Sequence, residues 1–165
     1  MAQAEYVEIS AASVGYSYSP DVGIGSGYAF ATEGTGRITA IRVWERPGSF
    51  ITSLQLCYDY IWSARIGSAE GNLLELQLYD DESIIQVSGK HLNFIFQLIF
   101  VTSRGRLFYA GFPSGKTFNF YPTDKDAALR LLSGRYTSTG ITGLGAHWGE
   151  VISCAPWFKA RRRLQ

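Results

Sequence analysis

With 165 residues the chain fits one domain, which at that size buries roughly 70% of the surface its unfolded form exposes and so requires neither metal nor disulfide to fold. Its residues are 46% hydrophobic and 18% charged. No apolar run approaches the roughly 20 residues of a membrane-spanning helix, which excludes such a span. Net charge is +1, and without Lys159, Arg161, Arg162 and Arg163 the body holds 11 basic against 14 acidic residues, too weak a positive field for a nucleic-acid binder.

Eighteen glycines and 15% aromatic residues predict strands joined by tight turns, with little helix. Residues 1–4 read as a short extension without a charged segment leading into an apolar one, as expected of a leaderless chain or of a mature form with an added Met. A glycine cluster through Gly23, Gly25, Ser26, Gly27 and Tyr28 precedes a strand, and residues 38–44 form the next strand candidate. Period-2 alternation sets Leu54, Leu56 and Tyr58 against Gln55 and Cys57, and Leu74, Leu76 and Leu78 against Glu75 and Gln77, so each segment buries one face. Asp80, Asp81 and Glu82 then read as a solvated turn. Residues 84–87 are a strand candidate, and residues 94–101 are apolar at nearly every position, as in a strand buried on both faces or facing a partner chain. Strands are further expected over residues 107–109, 117–120, 129–132 and 144–148, and turn residues recur every 8–12 positions, as in a sandwich, barrel or prism. An echo between residues 38–41 and 141–144 points to a repeated sheet unit. One domain is expected over residues 5–154, followed by a basic tail over 155–165.

Catalytic chemistry finds little support. Residues 110–117 nearly satisfy a phosphate-binding loop, but the aromatic residues and Pro122 that follow start no helix, so a turn between strands is the better reading. His91 and His147 lack neighbouring ligands, and Cys57 and Cys154 have no metal or redox spacing. Serine-hydrolase elbows are missing, and the adjacent carboxylates at 80–82 point apart on a turn rather than flanking a substrate. No catalytic residue, metal site or cofactor is assigned. The glycine cluster and the polar loop around Ser138, Thr139 and Thr142 instead expose backbone N–H groups and hydroxyls, suited to reading a polyhydroxylated ligand.

Residues 36–43, 83–90, 100–106, 131–135 and His147-Trp148 together resemble the animal jacalin-related lectins, in particular the zymogen granule protein 16 group of secretory lectins, with similarity over about residues 25–154. The resemblance implies an all-β, β-prism I fold of three four-stranded Greek-key sheets, and a metal-independent carbohydrate site of three loops at one end of the prism. By position these are the glycine loop Gly25, Ser26, Gly27 and Tyr28; the recognition loop Ser103, Arg104 and Gly105; and the binding loop Ser138, Thr139, Gly140, Ile141 and Thr142. The family's sugar motif is Gly-x-x-x-Asp, whose acid accepts bonds from two ring hydroxyls. Here Thr142 stands for the acid and Ser138 for the glycine. Losing a charge-assisted bond weakens a monosaccharide roughly tenfold or more.

The resemblance further implies a secreted protein, cytoplasmic if leaderless, that binds glycans or glycoproteins in a defence or secretory-granule role. Sulfated glycosaminoglycans are candidate partners for a basic patch of Arg104, Arg106, Lys116 and residues 161–163. The alternative is a protein of this fold whose sugar site has decayed and which binds proteins or membranes. The abundance of aromatic residues makes a homodimer through an exposed strand a further expectation.

Overall fold

The computed structural model describes residues 15–151. The expectations on residues 1–14, on Cys154 and on the tail over 155–165 lie outside the described residues.

Described residues form strands and turns, with no helix among them. β1 (Ser17–Gly23) and β2 (Tyr28–Ala31) precede β3 (Ile38–Glu45), β4 (Ile51–Tyr58), β5 (Ile61–Trp62), β6 (Ile66–Gly67) and β7 (Asn72–Gln77). The chain continues through β8 (Ile84–His91), β9 (Ile95–Thr102), β10 (Leu107–Gly111), β11 (Lys116–Phe120), β12 (Ala127–Tyr136) and β13 (Ile141–Glu150). They make three antiparallel sheets, in the orders β1-β13-β12-β2, β5-β4-β3-β7 with β6 also on β4, and β10-β9-β8-β11. In the last, three consecutive strands are followed by a fourth that returns beside the first, a Greek key. The second sheet repeats that order with an extra short strand, so it has five strands where four were expected. The first sheet closes it with strands from both ends of the chain.

Each sheet turns one face inward, and the faces meet in a core that includes Ile41, Leu54 and Leu56 from one sheet, Val87, Leu98 and Phe100 from another, and Leu132, Leu144 and Trp148 from the third, all fully buried. Polar groups in the interior are satisfied: Trp148 Nε1 donates to Ser19 Oγ at 3.1 Å. Tyr58 OH donates to the Arg130 carbonyl at 3.0 Å and lies 2.8 Å from Thr32 Oγ1, tying two sheets together. The apolar run at 94–101 is strand β9, with Leu98, Phe100 and Thr102 inward. Its other face is only half-buried, because Ile99 and Val101 pair with Tyr109 and Leu107 on the exposed face of β10.

The echo between residues 38–41 and 141–144 does not mark the repeat. β3 runs toward the end of the prism that carries the loop of residues 24–27, whereas β13 runs away from it. The equivalent units are the hairpins β3–β4, β8–β9 and β12–β13, each with a register shift beside its tip where the second strand carries one extra residue, Thr52, Phe96 or Thr142.

The opposite end is closed by ion pairs. Glu82, read from sequence as part of a solvated turn, is buried: its carboxylate accepts from Arg106 Nε at 2.8 Å, from Arg106 Nη2, and from the Tyr79 N–H at 3.0 Å. Arg104 makes a two-pronged pair with Asp81 at 3.0 Å, and both guanidinium groups lie over the Tyr79 ring, at 4.5 and 4.8 Å. The Arg106 hydrogen bonds, helped by the Thr102 hydroxyl and the Tyr79 N–H, hold the Glu82 carboxyl at about 2, below its ordinary 4.5. A depressed carboxyl pKa stabilises the fold above the unfolded value and loses that contribution as pH falls through the folded one. The contribution, on the order of 3 kcal/mol, is therefore complete above about pH 4.5 and disappears toward about pH 2. Urea midpoints followed from about pH 6 down to about pH 2.5 should fall more steeply for the native chain than for Glu82→Gln. Parallel curves would show that Glu82 does not carry the acid sensitivity.

Candidate functional site

Six connections gather at the end of the prism opposite the ion pairs: the hairpin tips at 46–50, 92–94 and 137–140, and the loops at 24–27, 68–71 and 112–115. A pair of glycines frames each of those loops at equal spacing along the chain: Gly23 and Gly27, Gly67 and Gly71, Gly111 and Gly115, all with positive φ. A Cβ on Gly23, Gly67 or Gly111 would fall 2.2, 2.3 or 1.9 Å from a carbonyl oxygen of the neighbouring strand, at Thr142, Thr52 and Phe96 respectively. Only glycine permits both the conformation and the approach.

In the first of these corners the glycine loop lies against the β12–β13 hairpin. Thr142 Oγ1 donates to the Ser26 carbonyl at 2.6 Å, and Arg135 Nη1 donates to the Gly27 carbonyl at 3.0 Å. The loop is thus held by its carbonyls; among the described residues the amide N–H groups of Gly25, Ser26 and Gly27 have no protein acceptor. Gly25, Ser26, Gly27 and Tyr28 are exposed, Tyr28 to 73%, with its ring 5.8 Å from that of Tyr136. Across from them Ser138 and Thr139 are exposed, while Gly140, Ile141 and Thr142 are buried. The corner offers amide donors, the hydroxyls of Ser26, Ser138 and Thr139 and an aromatic face, with no carboxylate on either loop. Thr142 occupies the acid's place in the motif, and its hydroxyl is already spent on Ser26.

Ser103, Arg104 and Gly105 are not brought to this site. They form the β9–β10 turn, and β9 carries the chain eight residues, about 26 Å, away from the tip at 92–94. The turn belongs to the ion-paired end, where Arg104 binds Asp81 and the Ser103 hydroxyl accepts from the Ser83 N–H. The described members of the basic patch are not brought together either. Arg104 and Arg106 are neutralised by Asp81 and Glu82 at one end, and Lys116 starts β11 at the other. The histidines sit on strands: His147 Nδ1 lies 2.5 Å from Tyr16 OH, and burial with the nearby Lys116 charge lowers the His91 pKa.

In place of Ser103–Gly105 the structure sets the tips at 46–50 and 92–94 beside the binding loop. Phe50 and Phe94 stack at 4.1 Å, and Phe50 packs so closely under Gly140 that a Cβ there would lie 2.9 Å from its ring. Arg46, Phe50, Glu70, Asn72, Ser138 and Thr139 are among the residues lining an adjoining cleft of about 570 Å³. The regular recurrence of Gly-x-x-x-Gly was the sequence signal that locates this end.

Three Greek-key sheets around one axis, with glycine-framed loops and free amides at one end, define a β-prism protein built to present a shallow polar surface. The sequence matches the jacalin-like lectin domain over residues 19–147, and the chain belongs to that family, whose members are carbohydrate-binding proteins rather than enzymes. It is 41% identical to human zymogen granule membrane protein 16 over 135 residues, 80% of each chain. It also resembles a prostate-specific WGA16 glycoprotein lectin, with a TM-score of 0.73, 32% identity and coverage of 82% of this chain and 99% of that one. Artocarpin, a lectin with mannose specificity, shares the fold at a TM-score of 0.69 and 20% identity, covering 80% of this chain and 96% of its own.

Replacing Thr142 with Val keeps its shape and removes the hydroxyl that pins Ser26. Stability is expected to fall by about 1 kcal/mol, and the backbone order parameters of Ser26 and Gly27 to drop. Urea unfolding with site-resolved NMR relaxation checks this; unchanged order parameters at both residues would show that the staple does not order the loop.

Proposed function

We propose that the protein binds glycans, without a metal ion, at the corner formed by Gly25, Ser26, Gly27 and Tyr28 and by the loop Ser138–Thr142. The observation that carries this reading is the glycine loop itself. Its carbonyls are anchored to Thr142 and Arg135, its amides are left for a ligand, and the exposed Tyr28 ring lies beside them to support the apolar face of a sugar. Family membership and the lectin of 32% identity support carbohydrate as the ligand class.

The nature of the glycan follows from what the corner lacks. A neutral threonine, buried and already bonded, cannot replace a carboxylate toward two ring hydroxyls, so single mannose-type sugars should bind weakly and longer glycans better. Sulfated chains lose the support of Arg104 and Arg106, whose charges are paired. A secretory or extracellular setting, suggested by the zymogen-granule relatives, suits this reading. The alternative of a decayed sugar site draws on the same buried Thr142.

A glycan array with mannan oligosaccharides, other neutral oligosaccharides and sulfated glycosaminoglycans tests the proposal. Signal should survive a chelator and fall about tenfold or more in Tyr28→Ala, since stacking and its apolar contact contribute on the order of 1.5 kcal/mol. Silence across the array, or full signal in Tyr28→Ala, would overturn it.

A further inference from the structure

The corner framed by Gly111 and Gly115 keeps the backbone of the other two and changes its chemistry. The Phe112 N–H donates to the Phe96 carbonyl at 2.8 Å, as the Ser68 N–H does to that of Thr52 at 2.9 Å. The extra residue of the hairpin is Phe96 here, where the other corners have Thr142 and Thr52, so no hydroxyl from that position staples this loop. Its outer edge is apolar instead. Phe112 is 49% exposed with Pro113 exposed beside it, and Leu92, 44% exposed, stands on the facing tip. A Cβ on Gly115 would lie 2.5 Å from Leu92 Cγ, so loop and tip are in contact. The backbone beneath is fixed: the Gly111 N–H donates to the Glu45 carboxylate, and the Leu92 N–H to the Phe94 carbonyl at 2.9 Å.

Two lysines stand behind this edge. Lys116 is exposed and lies opposite His91, the residue before Leu92, and Lys90 lies one residue further back, opposite Thr117. Neither has a carboxylate partner among the described residues, and Glu45, the acid that reaches this corner, is taken up by the Gly111 N–H. The other exposed apolar tip of the molecule has the opposite surroundings. Tyr60 and Ile61, at the ion-paired end, follow Asp59, and the Tyr60 hydroxyl donates to Asp80 at 3.4 Å.

We infer that the corner of Phe112 and Leu92 is a membrane-contact site: Phe112, Pro113 and Leu92 enter the interfacial region of a lipid bilayer, and Lys116 and Lys90 meet anionic headgroups. The order of the groups selects this occupant. Apolar side chains lead, and at about 3.3 Å per strand residue the cations follow within the roughly 5–10 Å over which a bilayer passes from acyl chains to headgroups. A protein partner would have to place a carboxylate against each lysine, whereas an anionic leaflet offers negative charge at every position. Loops already fixed by the fold lose little freedom on contact. The Tyr60–Ile61 turn, flanked by carboxylates, is repelled by the same surface. The corner shares its end of the prism with the glycine loop, so a bilayer and a glycan carried on it can be engaged together, the second contact being intramolecular.

Binding to vesicles without glycolipid tests the inference apart from any glycan binding. The full chain is sedimented with vesicles of phosphatidylcholine alone and of phosphatidylcholine and phosphatidylserine in equal amounts. The native chain is expected to bind the anionic vesicles and to bind phosphatidylcholine more weakly. Phe112→Ser should lose about tenfold or more on the anionic vesicles, Lys90→Gln with Lys116→Gln should lose the preference for them, and Tyr60→Ser should bind as the native chain does. All four positions are at least partly exposed, and urea midpoints equal to the native value confirm that the variants are folded. Equal binding by Phe112→Ser and the native chain would overturn the inference and assign the affinity to basic residues elsewhere, Arg161, Arg162 and Arg163 included. A loss in Tyr60→Ser as large as that in Phe112→Ser would overturn it too, and native chain that binds neither vesicle would overturn it in favour of a protein partner at this corner.

Discussion

Close backbone approach at glycine is the constraint from which the binding end of this molecule follows. At Gly23, Gly67 and Gly111 a connecting loop leaves its strand so near a carbonyl of the adjacent hairpin that a Cβ would collide with it. Because the same demand recurs in each sheet, all three loops fold over onto hairpin tips at one end of the prism. Side chains then decide what each corner does. In two of them a threonine hydroxyl, from Thr142 or Thr52, fastens the loop by a carbonyl and leaves its outer edge free.

The two ends of the prism divide the chemistry. At one, arginine and carboxylate side chains pair across the turns at 79–83 and 103–106, with Tyr79 under both guanidinium groups, and the polar groups are consumed in holding the fold. At the other, amides, hydroxyls, Glu70 and Arg46 are left unspent. Hydrogen-bonding capacity unused by the fold, on loops fixed by the fold, is the physical condition for recognising a ligand as hydroxylated as a glycan. The stacked Phe50 and Phe94 rings near Gly140 help hold these loops rigid.

The strands were legible because their signals are local, whereas the choice of a prism over a sandwich or barrel came from the family resemblance. Alternation in residues 54–58 and 74–78 marks β4 and β7, and the glycine and turn spacing requires short strands. The glycine loop and the binding loop could be read because a strand pair joins them directly, with Tyr28 opposite Tyr136. Ser103–Gly105 was misplaced because sequence shows a turn but not which end of a sheet it occupies; that depends on strand direction, an up-and-down count over the whole chain. The buried role of Glu82 was hidden for a related reason, since its partner Arg106 lies beyond two intervening strands. The cleft was missed because its walls come from three connections of two sheets and meet only at their tips, although the equally spaced Gly-x-x-x-Gly pairs were present to be counted.

Backbone amide chemical-shift mapping of the native chain, titrated with a neutral mannan oligosaccharide, tests most directly whether recognition belongs to the glycine-framed end. The account predicts perturbations concentrated in residues 24–28, 46–50, 68–72 and 137–142, with residues 79–83 and 103–106 unmoved. Perturbations centred on residues 103–106, or spread evenly over both ends, would contradict it.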